Sequence, residues 1–254
     1  MAFFFAKKTI IKCLEILISR YMTLNNSNEV QSNQQGIHEN LEVIVRKHFE
    51  TEYKKPIAEH TRIAFDKIRS RVENELKKDT PLLFDSFCGT GVSTSIIARN
   101  NPDSLVIGID RSIARLSKTY NLELPENAVL VQAECADFWL LAKQAGWQLA
   151  KHSIYYPNPY PKAKHIKRRW HGHPAYPLLF KLGGELELRT NWKIYADEFN
   201  QAFSFASDYL KNSSLSSKGV EVLCLDESID IEFMTLFEKK YYLNGHTLYR
   251  CILS

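Results

Sequence analysis

At 254 residues, 44% of them hydrophobic and 12% aromatic, the chain carries enough apolar side chain for a core of its own, which excludes a disordered segment or a fibre. Cys13, Cys88, Cys135, Cys224 and Cys251 are odd in number and scattered, with no CxxC and no histidine at zinc spacing; a disulfide framework and a zinc site are both disfavoured, and a reducing, cytoplasmic compartment is expected. Net charge is only +4, yet five of the 33 Lys and Arg (Lys162, Lys164, Lys167, Arg168, Arg169) fall within eight residues, and the other 28 are matched by 29 Asp and Glu.

In chain order, residues 1–24 carry Ile10, Ile11, Leu14, Leu17 and Ile18 at helical spacing, interrupted by Lys12 and Glu15; this predicts a short amphipathic helix rather than a secretory signal. The polar run NNSNEVQSNQQG (25–36) reads as a linker. Two helical patterns follow over 38–53 and 58–78. From Pro81 onward, short β-rich runs alternate with helical ones: LLFD, a helix from about Val92, SLVIGID, a helix from about Ile113, AVLVQAE, a helix from about Phe138, then SIYY. Later come ELELRT, a helix from about Tyr195, GVEVLCL and HTLYRCIL. Such alternation predicts an α/β fold with a mostly parallel sheet wrapped by helices, and the closing pair of strands can add an antiparallel edge. The expected organisation is an N-terminal segment and linker over 1–36, packed helices over 37–80, and an α/β domain over 81–254. No repeat and no transmembrane span is visible.

Ligands of open α/β sheets bind beyond the carboxyl ends of the strands, so the strand-to-helix turns hold the candidate site residues. In DSFCGTGVST, Asp85 ends a strand, and Gly89 and Gly91 open a helix, where missing Cβ atoms let a ligand approach the backbone. Asp110 closes the next strand 25 residues later, placed to accept ribose hydroxyls. An NAD fingerprint shares that logic but has a third glycine, which is absent here.

Together these features resemble class I S-adenosylmethionine-dependent methyltransferases. The resemblance implies a Rossmann-like, seven-stranded sheet with helices on both faces. It also implies S-adenosylmethionine as cofactor and no metal: Gly89 and Gly91 would cradle the amino-acid part, Asp110 the ribose, and Glu134 in VQAECADF the adenine side, with Asp85 heading the motif.

Three further segments narrow the likeness. YYPNPYPKAKHIKRR (155–169) is similar to the PDPW…K…H…KRR signature of bacterial tRNA (guanine-N7)-methyltransferases, RTNWKIYA to their TDW…Y element, and TLFEKKYYLNGHTLYR to their closing TxFE…G element. The similarity runs from about Pro81 to the C-terminus and implies methyl transfer to N7 of a guanine in tRNA. Two departures stand out: Asn158 and Asn191 occupy positions where the family has aspartates facing the target base. The glycine turn is also led by Asp85 where bacterial members usually have glutamate. Guanine N7 carries a free lone pair, so its methylation needs alignment rather than a general base. An asparagine can accept from N1–H or N2–H and donate to O6. Asn158 is therefore the candidate catalytic residue, against the bland alternative of an asparagine that merely forms a turn. Asn191, Tyr160, Thr235 and Glu238 are the further candidates for the base pocket.

The cationic run carries the remaining expectation. From Phe138 to Gly184 there is no Asp or Glu while eight Lys and Arg occur, which favours a polyanion-binding face over an ordinary solvated one. Lys162, Lys164, His165, Lys167, Arg168 and Arg169 are expected to hold RNA phosphates. Trp170, His171 and His173 either stack on an unpaired base or, more commonly for such residues, pack beneath their own loop. Two alternatives remain open: an exocyclic-amine methyltransferase, since PNPY superficially resembles an NPPY box but lacks its second proline, and an RNA-binding relative that lost catalysis with the two aspartates.

Overall fold

The computed structural model describes residues 27–118, 122–225 and 231–254. Two helices, α1 (Leu41–Glu50) and α2 (Glu59–Leu76), precede the alternating region. That region runs β1 (Leu82–Ser86), α3 (Val92–Asn100), β2 (Leu105–Asp110), α4 (Ile113–Leu116), β3 (Ala128–Gln132), α5 (Cys135–Gln144) and β4 (Lys151–Tyr155). Two short 3₁₀ turns (Ala163–Arg168 and Trp170–Gly172) lead to α6 (Pro177–Leu182), β5 (Glu185–Thr190), α7 (Lys193–Leu210), β6 (Ser217–Val222), α8 (Leu236–Leu243) and β7 (Tyr249–Leu253).

The strands form one sheet in the order β3-β2-β1-β4-β5-β7-β6. β1 to β5 pair in parallel, and β7 lies antiparallel between β5 and β6. The antiparallel strand is therefore one place in from the edge, and β6 closes the sheet. This is the Rossmann-like arrangement expected of the chain. Strand order reverses between β1 and β4, which opens a crevice at their carboxyl ends.

Every residue of β1 is buried because helices cover both faces, which is why the strand reads as a continuous apolar run. On one face Leu82 and Phe84 join Leu41 and Val45 of α1, Phe65 of α2, Phe138 and Trp139 of α5, and Phe199 and Ala202 of α7. Phe65 stacks on Trp147 at 4.6 Å and meets Phe138 edge-on at 5.2 Å. Truncating any of these buried rings to alanine should cost about 3–5 kcal/mol. The alternate residues Leu83, Val106 and Tyr155 pack on the other face with Ile97 and Ala98 of α3.

Several expectations shift. The helix from Ile113 is a single turn, and α5 starts at Cys135, three residues before the expected Phe138. α6 and α8 went unread. The amphipathic pattern of residues 1–24 lies outside the described residues. The polar run expected as a linker is fastened to the domain: Ser27 bonds His246, Ser32 donates to the Pro161 carbonyl at 2.6 Å, Asn33 accepts from Ala163 N–H, and Gln34 donates to Glu198. Among the described residues no helix is long and apolar enough to cross a membrane.

Candidate active site

The turn after β1 is tight. Phe87 adopts φ +67°, and Gly91, at φ +79°, caps α3; a Cβ there would sit 2.8 Å from Leu130 Cδ1. Asp85 is buried and its Oδ2 accepts from both Ser93 and Thr94 hydroxyls at 2.6 Å. Thr94 can reach it because Gly108 of β2 leaves the space that a Cβ would fill. Burial, partly offset by those two hydroxyls, pushes the Asp85 carboxyl up to about 6. Its second oxygen, Oδ1, is buried and has no hydrogen-bond partner among the described residues.

Asp110 closes β2 and faces the same turn: its Oδ2 accepts Gly89 N–H at 3.0 Å and Arg115 Nη1 at 3.4 Å, while Oδ1 accepts Ser112 N–H at 2.7 Å. A carboxylate offers about four acceptor positions, so one remains. These residues fit the amino-acid and ribose ends of S-adenosylmethionine: an ammonium would supply the donor that Asp85 Oδ1 lacks, and a hydroxyl the last donor to Asp110. Glu134, two residues past the end of β3, holds the N-cap position of α5 without a side-chain capping bond and forms no ion pair among the described residues.

The proline turn begins where β4 ends. Tyr155 pairs with Arg189 of β5, so Asn158 and Asn191 both lie just beyond the carboxyl ends of adjacent strands. Tyr156 and Tyr160 take φ of +50° and +44°, backbone conformations rare outside glycine, so the turn is held by its surroundings. Asn158 is exposed, and its Oδ1 accepts the Tyr160 N–H at 3.3 Å. The side chain thus does form the turn, and its amide N–H donors point away from that bond. Asn191 is half-buried with Nδ2 3.1 Å from His246 Nδ1.

Lys162, Lys164, Lys167 and Arg168 are exposed and enter no ion pair among the described residues. Desolvation and then the charges of Arg168, Lys164, Lys162 and Arg169 hold His165 below its ordinary value, as expected of a cationic surface. Arg169 is a correction. It is fully buried, donates to Glu198 Oε2 at 2.5 Å and to the Tyr160 carbonyl at 3.2 Å, and stacks over Trp192 at 4.8 Å. It anchors the loop from beneath and is not available to phosphate. Glu198 also accepts from His171 Nε2 (2.9 Å), Gln34 Nε2 (2.6 Å) and His38 N–H (3.0 Å). Burial alone would raise the Glu198 carboxyl, but His171, Arg169 and Gln34 outweigh it and hold it at about 2.

The aromatics after the basic run pack beneath the loop. His171 is buried, and Trp170 stacks on Phe87 of the glycine turn at 4.7 Å and 26°. Thr235 and Glu238 are a second correction. Thr235 Oγ1 caps α8 by accepting Glu238 N–H at 2.9 Å. The Glu238 carboxylate is fully buried, accepting from Tyr156 Oη (2.9 Å), Met234 N–H (3.0 Å) and Arg189 Nη1 (3.2 Å). Glu238 thus supports the proline turn through Tyr156 rather than facing a base, and the Thr235 hydroxyl is engaged in the helix cap. The T-x-x-E spacing is itself a helix-capping signal and could have told this. Phe87, Ser93, Thr94, Glu198 and His246 went unread; Ser93 and Thr94 announce themselves only through helix spacing from Asp85, and Glu198 and His246 through no local signal.

Comparison with known proteins places the chain in a family. A family model described as "Putative methyltransferase" (Methyltransf_4) matches residues 79–251. The tRNA (guanine-N(7)-)-methyltransferase of Treponema pallidum is 33% identical over 122 residues, 46% of this chain and 48% of that protein. The Yersinia pestis enzyme of the same description is 26% identical over 143 residues, 54% of this chain and 59% of its own. The chain thus spans about half the length of the curated relatives it matches. A solved structure of an antibiotic-related methyltransferase superposes with a TM-score of 0.50 at 15% identity, covering 73% of this chain and 93% of its own, a likeness of fold.

Proposed function

Since the chain belongs to the methyltransferase family matched over residues 79–251, we propose that it transfers the methyl group of S-adenosylmethionine to N7 of a guanine in tRNA. The observation that supports this reading is the stack of Phe87 on Trp170, which joins the glycine turn to the end of the segment that carries Lys162, Lys164, Lys167 and Arg168. In this reading a polyanion held by those four cations lies next to the turn that fits the cofactor.

S-adenosylmethionine supplies an already activated sulfonium methyl, so the protein has mainly to align the acceptor and keep water out. In this reading Asp85 Oδ1 receives the cofactor's amino group, Asp110 a ribose hydroxyl, and Glu134 lies toward the adenine. Gly89 and Gly91 keep side chains out of the approach. Asn158, its carbonyl engaged by Tyr160, offers N–H donors suited to guanine O6, and Asn191 lies across from it at the end of β5. The four exposed cations bind phosphates and set register. The purine becomes cationic as the methyl arrives, and two amides stabilise that charge less than two carboxylates would. A slow rate is therefore expected. We place the protein in the cytoplasm, where its tRNA substrate is met.

Mass spectrometry of nucleosides from tRNA incubated with the protein and S-adenosylmethionine is the test. N7-methylguanosine is expected; methylation of an exocyclic amine, or tRNA binding without any transfer, would overturn it.

A further inference from the structure

We infer that His246 is a positioning residue that fixes which end of the Asn191 amide is free to meet the purine, and that it presents the carbonyl; the inference rests on the reading of Asn191 as a base contact. An aspartate has two equivalent acceptors and needs no such device. An asparagine can turn either an acceptor or a donor to its substrate, and near-equal shapes make the choice depend on its neighbours.

Here the neighbour decides. Nε2 of His246 lies 3.0 Å from the main-chain carbonyl of Ser27 and 3.2 Å from the Ser27 hydroxyl. A carbonyl only accepts, so Nε2 must carry the ring proton. In a neutral imidazole that leaves Nδ1 as a bare lone pair. The partner of Nδ1 is Asn191 at 3.1 Å, and only the NH₂ end of a primary amide can serve a lone pair. Oδ1 is thereby turned away from His246, and among the described residues nothing donates to it. The argument runs through donor and acceptor chemistry from an oxygen whose role is not in question, so it does not depend on telling amide N from O by shape.

The ring is built to hold that tautomer. His246 is 8% exposed and stacks on Tyr241 at 5.3 Å and 29°, with its main-chain N–H on the Tyr241 carbonyl at 3.0 Å. Tyr241 in turn touches Tyr156 of the proline turn at 5.6 Å. Ser27 is itself tethered through its N–H to Asn244 Oδ1 at 3.4 Å. The relay Ser27 carbonyl, His246, Asn191 thus makes one asparagine act as the one-sided acceptor that guanine N1–H and N2–H require. It also assigns the N-terminal segment a part in reading the base.

Two measurements test this. Nitrogen-15 NMR of histidine in the full-length protein without substrate reads the ring protonation directly: an Nε2-protonated, Nδ1-bare ring for His246 is expected, and the opposite tautomer, or a ring protonated on both nitrogens, overturns the relay whether or not the chain methylates tRNA. Kinetics on tRNA then follow. His246→Leu, which keeps contact with Tyr241, should lower kcat/KM about tenfold, the worth of one hydrogen bond. His246→Gln, whose Oε1 can accept from Asn191, should recover most of it. In an Asn191→Asp background the His246→Leu loss should shrink to within about twofold, because either carboxylate oxygen accepts. An equal loss in both backgrounds would mean that His246 only supports the fold and would overturn the inference. Absence of N7-methylguanosine from the parent protein would instead defeat the functional reading and leave the tautomer result standing.

Discussion

Replacing Glu198 by alanine isolates a fully buried ion-pair hub. The carboxylate is fully buried in α7 and takes hydrogen bonds from Arg169, His171, Gln34 and the His38 main chain. Removing it strands a buried guanidinium, and breaking such a pair costs about 3–5 kcal/mol. The same contacts hold the carboxyl at about 2 against an ordinary 4.5, a difference on the order of 3 kcal/mol. At roughly 2–4 °C per kcal/mol for a chain of this length, Tm at neutral pH should fall by about 6–20 °C. The sign with pH follows from the depressed value: this stabilisation is complete above about 4.5 and fades as pH drops toward about 2. His171, also lowered by burial despite Glu198, pulls the same way, because the unfolded chain takes up its proton first as acid is added. Thermal unfolding of parent and Glu198→Ala by circular dichroism, across an acid series, is the measurement. A variant within about 1 kcal/mol of the parent at neutral pH, or a gap that does not narrow in acid, would refute the buried-hub assignment of Arg169.

Other outcomes follow from the same geometry. Single alanine substitutions at Lys162, Lys164, Lys167 or Arg168 should each flatten the logarithmic salt dependence of tRNA binding by up to about 0.9, whereas conservative change at Arg169 should lower stability and leave the slope alone. Calorimetric affinity for S-adenosylmethionine should rise with pH through about 6, as Asp85 ionises, and Asp85→Asn should abolish that rise; the same raised value means the ionised form costs the empty protein stability as pH climbs from 3.8 to about 6. Asn158→Asp should raise kcat more than it changes KM, by no more than about 10²–10³-fold, the effect of one preorganised polar group; a single-turnover rate at or below the parent's would contradict a charge-stabilising place for residue 158.

The sheet was legible because burial on two faces forces strands such as LLFDS and LVIGID to be apolar throughout, and the intervening helices keep a separate rhythm. Asp85, Gly91 and Asp110 were legible for a related reason: a strand end and a tight turn leave local marks. What escaped was whatever depends on contacts between distant positions. A run of Lys and Arg looks uniform along the chain, yet Arg169 turns inward because Glu198, 29 positions on, offers it a buried partner. The polar segment from Ser27 to His38 has a linker's composition, and only its distant partners at Pro161, Ala163, Glu198 and His246 make it part of the domain. Thr235 and Glu238 were read through the resemblance when their own spacing described a helix cap.

The face-to-face contact between Phe87 and Trp170 has a thermodynamic corollary. One ring belongs to the loop that would cradle the methyl donor and the other to the loop that would grip the acceptor, so neither loop can shift without disturbing the other. Any free energy by which occupancy of one loop reorders that ring pair must reappear, equal in size, in the affinity of its neighbour. The two reactants would then be bound with heterotropic cooperativity rather than in independent order, and cutting either ring down to alanine would uncouple them.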